Sequence, residues 1–388
     1  MSGARAFLLA AGGTGGHMIP AHALAVELGR RGHRVHLVTD ARGARIPGIF
    51  DMLEPKVLTA GRLGGGPLGY LRAARDISRG RAEAGRYIRE VAPAAAVGFG
   101  GYPAFPSLWA ARARGVPTVL HEQNAVLGRV NRLLARGAKA IATAYDTVQR
   151  VPASAANRVE LVGNPVRDEV ARLHDEPYPE LTADGIFRVL VTGGSQGANI
   201  LSDVVPDGLG LLPPAFRARL QVTQQCRPED IDRVRARYAA LGIPADLATY
   251  IADMPHALAW THLVIARAGA STIAELTTAG RPAILVPLPS ATDDHQTFNA
   301  REMARTGGAR VIAQSRFTPP ELAKQMQKLG LEPDALTYAA SRARAAGRPH
   351  ATRDLADLVE RIADGGPARQ QVGFAKGSVR ARPMKVTA

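Results

Sequence analysis

The chain has 388 residues, which exceeds one ordinary hydrophobic core and suits about two domains. Hydrophobic residues make up 46 % and charged residues 21 %, which excludes a disordered chain, and the single cysteine, Cys226, excludes an internal disulfide. The net charge of +15 arises from residues 1–165 and 366–388, because residues 166–365 are close to neutral.

Membrane spans and export signals are not visible in the sequence. No uninterrupted apolar run approaches the roughly 18 residues that a spanning helix needs, and the run after Arg5 is too short for a signal peptide. We therefore expect a protein in the cytoplasm or on the cytoplasmic face of a membrane. The basic half suits an anionic surface such as phospholipid headgroups, whereas 5 % aromatic residues and no recognisable nucleic-acid-binding motif argue against nucleic acid.

In the first half, short apolar runs alternate with amphipathic segments that end at glycines. Strands are predicted at AFLLA, HRVHLVTD, AAAVGFG, PTVLHEQ and KAIATAY. Helices are predicted at PAHALAVELGRRG and GRVNRLLARGA. Such alternation is typical of a parallel sheet that is covered by helices on both faces.

The second half repeats this pattern. Strands are predicted at RVLVTGG, ARLQVTQ, LVIARAG, AILVPLP and RVIAQ. Helices are predicted at PEDIDRVRARYAALG, ASTIAELTTAG and HQTFNAREMARTGG. The fold class is therefore α/β, with two Rossmann-like, doubly wound domains that we expect to face each other across a cleft at the carboxyl ends of their strands.

Composition suggests where the domains end. We expect an N-terminal domain over 1–163, a linker rich in proline and charge over 164–187, and a C-terminal domain over 188–365. The last helix of the C-terminal segment 188–365 is expected to pack back on the N-terminal domain. Residues 366–388 carry only basic charges without periodicity and are predicted to form a disordered tail.

Each half begins with a strand, a Gly-Gly-(Thr/Ser)-x-Gly loop and a helix. Glycine lets backbone N–H groups approach a ligand, and the helix N-terminus favours an anion, so the loops are either tight turns or phosphate sites. Neither is a dinucleotide fingerprint, because Met18 stands where the third glycine is needed, and the loop lacks the lysine of a Walker A sequence.

His17 falls in the first turn of the first predicted helix. The positive potential there disfavours an imidazolium, which leaves a neutral ring able to accept a proton near neutral pH. The alternative is a histidine that only caps the loop by hydrogen bonding. His22, one turn further, is expected to lie on the helix face without a chemical role.

Carboxylates of the second half allow two interpretations each. Thr272 and Glu275 spell a helix capping box, but a carboxylate here could also accept the hydroxyls of a ribose. Asp230 and Asp232 spell DxD, yet positions i and i+2 of a helix point apart, so we expect helix-dipole partners and no metal. Further along, PSATDDHQTFNA follows a strand and is predicted to face a ligand.

Together these motifs resemble the MurG family of glycosyltransferases. The resemblance follows, in order, GGTGGHMIPAHALA, GFGGYP, HEQNAVLGRVNRLLA, GNPVR, VTGGSQGA, YIADM, RAGASTIAEL and ATDDHQTFNA. It implies a GT-B fold, with UDP-N-acetylglucosamine held mainly by the second domain. It also implies that the acceptor, undecaprenyl-linked N-acetylmuramyl-pentapeptide, binds to the first domain.

The resemblance also implies roles for individual residues. His17 would be the catalytic base. The donor contacts would be Thr14, Gly15 and Gly16 at the diphosphate side, Asn124 and Gln296 at the sugar, Arg167 and Ser195 near the diphosphate, Ile251 at the uracil, Ala270, Ser271 and Thr272 at the nucleotide, and Glu275 at the ribose. One departure is visible, because GGYPAFP has Ala104 and Phe105 where many members have Ser-Gly, which leaves the role of that loop open.

The implied reaction is a single inverting displacement, with no tightly bound metal or other cofactor. The C4 hydroxyl of the muramyl sugar would attack the anomeric carbon while His17 takes its proton. We expect the basic helix of LGGGPLGYLRAARDISRGRAEAGRYIREV, which follows a glycine-rich hinge, to dock to anionic lipids of the inner membrane at its cytoplasmic side, the alternative being a solvated basic helix. The helix carries Arg72, Arg75, Arg79, Arg81, Arg86 and Arg89 beside Leu68, Tyr70, Leu71 and Ile77. The competing functions are another UDP-sugar transferase or epimerase of the same fold, and a non-catalytic sugar-nucleotide-binding scaffold.

Overall fold

The computed structural model describes residues 3–13, 15–45, 54–59, 66–194, 197–330 and 332–369, of which 66–74 and Gly330 are described as backbone alone. This part of the chain divides into two compact units. The first unit combines the residues up to Gly163 with those from Thr352 onward, and the second is Asn164–Ala351.

The first unit contains a seven-stranded parallel sheet. Its strands are β1 (Ala6–Ala10), β2 (Arg34–Thr39), β3 (Lys56–Val57), β4 (Ala95–Gly98), β5 (Thr118–Glu122), β6 (Ala140–Thr143) and β7 (Val159–Leu161). The strand order is β3-β2-β1-β4-β5-β6-β7, so the winding direction reverses between β1 and β4. Ligands of such sheets bind at this switch point, beyond the carboxyl ends of the strands.

Helices cover both faces of that sheet. They are α1 (Gly15–Arg30), α2 (Gly66–Val91), α3 (Ala104–Arg112) and α4 (Arg129–Leu134). All five residues of β1 are buried, as expected for a strand with both faces covered. The predicted strands and helices of this half are confirmed.

The second unit has a six-stranded parallel sheet of order β10-β9-β8-β11-β12-β13, with its switch point between β8 and β11. Its strands are β8 (Phe187–Thr192), β9 (Leu220–Gln225), β10 (Ala245–Ala248), β11 (Leu263–Ala266), β12 (Ala283–Leu285) and β13 (Ala309–Val311). The remaining helices are α5 (Asp168–Arg172), α6 (Asn199–Gly210), α7 (Pro214–Arg217), α8 (Ile231–Leu241), α9 (Met254–Trp260), α10 (Ala270–Thr278), α11 (His295–Thr306), α12 (Pro319–Gly330), α13 (Pro333–Ala345) and α14 (Ala351–Ala363).

The strands that the sequence pattern misses are β3, β7 and β10, and all three lie at sheet edges. Both residues of β3 are exposed, and β10 has a single buried residue. An edge strand has fewer neighbours, so its side chains need not be apolar and the alternation that identifies a strand is weak.

Residues 164–187, predicted as a linker, are grouped with the second unit. Val166, Val170 and Leu173 are buried there in the same cluster as Ile273 and Leu276 of α10. The first part of the segment, up to Leu173, is therefore part of a core, whereas no residue of 174–186 is buried.

Helix α14 is grouped with the first unit, apart from its first residue. Its apolar face contributes to the cluster that contains Phe7 and Leu9 of β1. Arg31, the residue after α1, contacts Asp357 at 2.6 Å and Glu360 at 2.7 Å. No helix in the described part of the chain is long and apolar enough to cross a membrane.

Candidate functional site

In the first unit, the loops that follow β1 and β4 touch through their backbones. A Cβ atom on Gly12 would lie 2.4 Å from Cγ of Pro103, and one on Gly101 would lie 2.8 Å from the Gly12 carbonyl oxygen. Gly101 also has a φ of +78°, which other residues rarely adopt. The glycines are therefore required for close packing of the two loops at the switch point.

His17 is the third residue of α1 and is half-buried at this switch point. Its Nδ1 lies 3.1 Å from the Gly12 carbonyl oxygen. A carbonyl oxygen only accepts, so Nδ1 carries the proton and donates, which leaves Nε2 as the basic nitrogen of the neutral ring. Nε2 faces Gly100, where a Cβ atom would approach it to 3.1 Å. The hydrogen bond of the capping alternative is present, and it fixes the tautomer that a general base needs.

Asp40, which follows β2, accepts hydrogen bonds from the backbone of the glycine loop and of its own loop. Its Oδ1 accepts from the backbone N–H of Gly43 at 2.8 Å and of Gly13 at 3.2 Å, and Oδ2 accepts from Arg42 at 3.1 Å. Burial alone would raise the pKa of the Asp40 carboxyl, but these hydrogen bonds outweigh burial and lower the pKa. The Gly13 amide is thus engaged by a carboxylate, a contact that the sequence pattern did not reveal.

Gly15 and Gly16 are the first two residues of α1. Their N–H groups belong to the first turn, which lacks intrahelical acceptors, so they are suited to an anionic group. Thr14 lies outside the described residues.

The HEQN segment at the end of β5 forms a buried hydrogen-bond network. Glu122 accepts from the N–H of Gly128 at 2.7 Å, from the Asn131 amide at 2.9 Å, and from the N–H and the side-chain amide of Asn124 at 3.1 Å each. Burial raises the pKa of Glu122, and these donors oppose the rise. Asn124 is therefore held in place by Glu122, two residues earlier in the chain.

The same segment is tied to the loop beside His17. The Gln123 side-chain amide donates to the Phe99 carbonyl oxygen and to Nδ1 of His121, each at 3.0 Å. Nε2 of His121 lies 3.0 Å from the Gly163 carbonyl oxygen. Burial lowers the pKa of His121 to about 4, so this ring is neutral and structural. Sequence reasoning placed His121 and Gln123 in a predicted strand but did not identify this network, because hydrogen bonds to residues far apart in the chain leave no local pattern.

The loop GGYPAFP begins α3 at Ala104, which is fully buried. The Phe105 and Trp109 rings lie 5.6 Å apart one helical turn on. The two residues that depart from the family pattern therefore pack, and neither offers a hydrogen-bonding side chain.

In the second unit, α10 begins at the carboxyl end of β11. The helix starts at Ala270 after Gly269, and Gly269 gives it no side-chain cap. Thr272 is therefore the third helical residue and not the N-cap, so the capping-box interpretation of Thr272 and Glu275 is wrong. Ala270, Ser271 and Thr272 form the first turn, where backbone N–H groups are available to a ligand.

Glu275 is paired with Arg167 from the GNPVR segment. Arg167 Nη2 lies 3.2 Å from Glu275 Oε1, and the side chain of Glu275 is only 13 % exposed. Burial raises the pKa of Glu275, and the Arg167 guanidinium opposes the rise. Two residues separated by 108 positions and predicted to contact one nucleotide are thus brought into direct contact.

Gln296, in the first turn of α11, joins two of the strand-end loops. Its Oε1 accepts from the N–H of Leu288 at 3.0 Å and of Ala268 at 3.2 Å. Because the oxygen is used, the side-chain NH₂ remains as the group that could donate to a sugar hydroxyl. Asn299, one turn on, donates to the Ala268 carbonyl at 3.3 Å.

Several buried polar atoms of this unit have no hydrogen-bond partner among the described residues. Those that belong to motifs of the predicted site are both side-chain polar atoms of Asn164, Nε of Arg167 and Oγ of Ser271; the others are Nε of Arg188, Nε2 of Gln224, Oδ2 of Asp230 and Nη2 of Arg344. Buried polar groups are normally satisfied, so such a group calls for a specific explanation, and ligand binding is one. Asn164, 5 % exposed, was not identified from the sequence, although the same GNPVR motif contains it.

The remaining residues singled out from the sequence are Ile251, Ser195 and Asp230. Ile251 is half-buried between β10 and α9, and Ser195 lies outside the described residues. Asp230 is the residue before α8 and contacts Arg233 at 2.9 Å. Within the described part of the chain, no group of three or more His, Cys, Asp or Glu residues is arranged to hold a metal ion.

Comparison with known proteins identifies the family. Models for the N-terminal and C-terminal domains of glycosyltransferase family 28 match residues 7–143 and 188–362. A Zymomonas mobilis protein named UDP-N-acetylglucosamine–N-acetylmuramyl-(pentapeptide) pyrophosphoryl-undecaprenol N-acetylglucosamine transferase is 62 % identical over 371 residues, covering 96 % of this chain and 95 % of the relative.

Solved structures agree with that match. The crystal structure of Acinetobacter baumannii MurG superposes with a TM-score of 0.75 at 32 % identity, covering 92 % of this chain and all of that one (100 %). A UDP-GlcNAc 2-epimerase from Neisseria meningitidis has a TM-score of 0.62 at 12 % identity, covering 91 % and 98 %, which shows the fold alone.

Two doubly wound parallel-sheet units with these matches define a glycosyltransferase of the GT-B class. Sequence similarity assigns the chain to a particular family within this class. The chain belongs to glycosyltransferase family 28 and, within it, to the MurG family.

Proposed function

We propose that the protein transfers N-acetylglucosamine from UDP-N-acetylglucosamine to the C4 hydroxyl of the muramyl sugar of undecaprenyl-diphospho-N-acetylmuramoyl-pentapeptide, a step of peptidoglycan synthesis. The observation that carries this function is the 62 % identity to a relative of that name along nearly the whole of both chains. The site chemistry supports it, since the contact with Gly12 leaves Nε2 of His17 as the nitrogen that can accept a proton, and Glu275 is paired with Arg167.

His17 is the proposed general base. Its Nδ1 is committed to the Gly12 carbonyl, so Nε2 accepts the proton of the attacking hydroxyl as the new glycosidic bond forms. The bond from the anomeric carbon to the diphosphate breaks in the same displacement, which inverts the sugar from α to β and releases UDP.

The second requirement of the reaction is to stabilise the negative charge that develops on the departing diphosphate. The first turns of α1 and α10 offer backbone N–H groups, and Arg167 offers a guanidinium whose Nε has no partner in the described part of the chain. We propose that these groups stabilise the leaving group without a tightly bound metal.

The test is incubation of the purified protein with labelled UDP-N-acetylglucosamine and a short-chain lipid-linked muramyl-pentapeptide, in the presence of EDTA. We expect the labelled disaccharide on the lipid and release of UDP at a rate that EDTA does not change. Hydrolysis or epimerisation of the donor without acceptor labelling would favour an epimerase, and binding without turnover would favour a scaffold. Loss of activity with EDTA, restored by Mg²⁺, would contradict the metal-free proposal alone.

We also propose that the protein is peripheral on the cytoplasmic side of the inner membrane, docked through α2. Arg75, Arg79, Arg86 and Arg89 are exposed on this helix. Arg81 lies over the Trp109 ring, 4.2 Å from its centroid, and Trp109 itself is 40 % exposed. Cationic and aromatic side chains at one surface suit an interface of headgroups and acyl chains. The side chains of Leu68, Tyr70, Leu71 and Arg72 lie outside the described part.

Vesicle cosedimentation tests this docking. Replacing Arg86 and Arg89 by Gln removes two headgroup contacts of about 1 kcal/mol each, so binding to vesicles with anionic lipid is expected to fall about 30-fold. The matched control replaces Arg235 and Arg310, two exposed arginines of the second unit, by Gln and is expected to bind like the parent protein. Equal loss in both variants would show only a net-charge effect.

A further inference from the structure

The Arg167–Glu275 ion pair has a consequence for nucleotide recognition. We infer that Arg167 is a positioning residue for the ribose: its ion pair with Glu275 orients and charge-balances the carboxylate that accepts the ribose hydroxyls. This inference rests on the proposed function and on the ribose contact that the resemblance to the MurG family implies for Glu275. It adds to the diphosphate role implied for Arg167, because a guanidinium with five N–H donors can serve two anions.

The geometry gives the pair a fixed position. Arg167 precedes α5 in extended backbone conformation, and its carbonyl oxygen accepts from the Ala171 N–H at 3.0 Å. On either side, Val166 and Val170 are buried in the cluster that also holds Ile273 and Leu276 of α10. The arginine is thus anchored on the same core as the helix that carries Glu275.

Because Glu275 is buried, its carboxylate needs a nearby positive charge in order to stay ionised. The Glu275 side chain is 13 % exposed, and the Arg167 guanidinium at 3.2 Å is the group that opposes the effect of its burial. A buried carboxylate without a partner is poorly solvated and either becomes protonated or shifts toward water. In both cases it loses the paired acceptor oxygens that recognise a vicinal diol.

The test compares UDP with 2′,3′-dideoxy-UDP by isothermal titration calorimetry, because the ratio of the two dissociation constants cancels the diphosphate contact. For the parent protein we expect UDP to bind roughly tenfold to hundredfold more tightly, the range of hydrogen bonds to a charged group. In Arg167→Met the ratio of the dissociation constant of 2′,3′-dideoxy-UDP to that of UDP is expected to fall several-fold toward one. In Arg167→Lys, which keeps the positive charge, the ratio is expected to lie between those of the parent protein and Arg167→Met.

A double-mutant cycle makes the assignment specific. Glu275→Gln is expected to lower the ratio, and adding Arg167→Met to it is expected to lower the ratio no further, because the amide needs no counter-charge. Arg172→Met removes an exposed arginine of α5, 71 % accessible, and is expected to leave the ratio unchanged.

If both affinities fall by the same factor in Arg167→Met, the arginine acts on the diphosphate alone and the inference fails, while the proposed function stands. If the parent protein binds both nucleotides equally, the ribose contact of Glu275 fails and the inference with it. Thermal unfolding of each variant verifies the fold, and Arg167→Gln replaces Arg167→Met if the latter does not unfold cooperatively.

Discussion

At the residue scale, the Gly12 carbonyl oxygen determines what His17 can do. The sequence places an imidazole at a helix N-terminus, where either ring nitrogen could carry the proton. The contact of 3.1 Å to Nδ1 selects the tautomer with a basic Nε2. The capping contact is therefore compatible with the catalytic role proposed for His17.

His17→Ala is expected to lower kcat by about 10²–10⁴-fold, because the attacking hydroxyl loses its proton acceptor. Binding of UDP, measured by calorimetry, is expected to change little. His22→Ala, one turn further on the same helix, is the matched control and should keep normal turnover. Near-normal kcat in His17→Ala would remove His17 as the base.

Asp40 provides a pH-dependent test of the loop that carries His17. Its folded pKa is lowered, so its carboxylate contributes stability fully above its ordinary value of 3.8 and loses that contribution as pH falls through the folded pKa. Asp40→Asn imitates the protonated acid, because the amide oxygen can still accept from Gly13 and Gly43.

We expect Asp40→Asn to lower the free energy of unfolding by about 1 kcal/mol at neutral pH, the difference between charged and neutral hydrogen bonds. Denaturant titrations from pH 7 to pH 3 should show this deficit shrinking below about pH 4. A deficit that stays constant over the whole range would mean that the carboxylate charge contributes nothing.

At the scale of elements, α14 shows how one helix completes a distant core. Its buried face places Leu355, Leu358 and Val359 beside residues of β1, and Arg361 contacts Glu160 at 2.6 Å. The sequence contains the amphipathic pattern, but the pattern does not specify which unit receives the apolar face.

Leu358 is fully buried, so Leu358→Ala is expected to destabilise the first unit by about 2–5 kcal/mol through lost burial and a residual cavity. Asp354→Ala, at an exposed position in the first turn of the same helix, should change stability by no more than about 1 kcal/mol, the size of a helix-dipole contact. Scanning calorimetry at matched concentrations measures both. Equal, small effects would show that α14 is not part of the core.

At the scale of the whole molecule, the two units differ in how the chain builds them. The second unit is one continuous segment, Asn164–Ala351, whereas the first needs both ends of the chain. Arg167, Ile251, Glu275 and Gln296 all belong to the continuous segment, and so does Ala270, which opens the helix predicted to face the nucleotide.

A fragment of residues 164–351 is therefore expected to fold and to bind UDP with an affinity close to that of the full chain, without transferase activity, because His17 is missing. Circular dichroism and calorimetry measure folding and binding. A folded fragment that does not bind UDP would show that nucleotide affinity depends on residues of the first unit.

The sequence by itself determined the class of fold, the central strands and the family. Buried parallel strands must be apolar on both faces, and strand-end loops must use glycine where backbones touch, so both leave local signals. Tertiary structure alone decided three of the four edge strands, the start of α10, the Asp40–Gly13 contact, the Glu122 network and the Arg167–Glu275 pair. These depend on which groups meet after the chain has folded, and a contact between residues far apart in sequence leaves no local pattern to read.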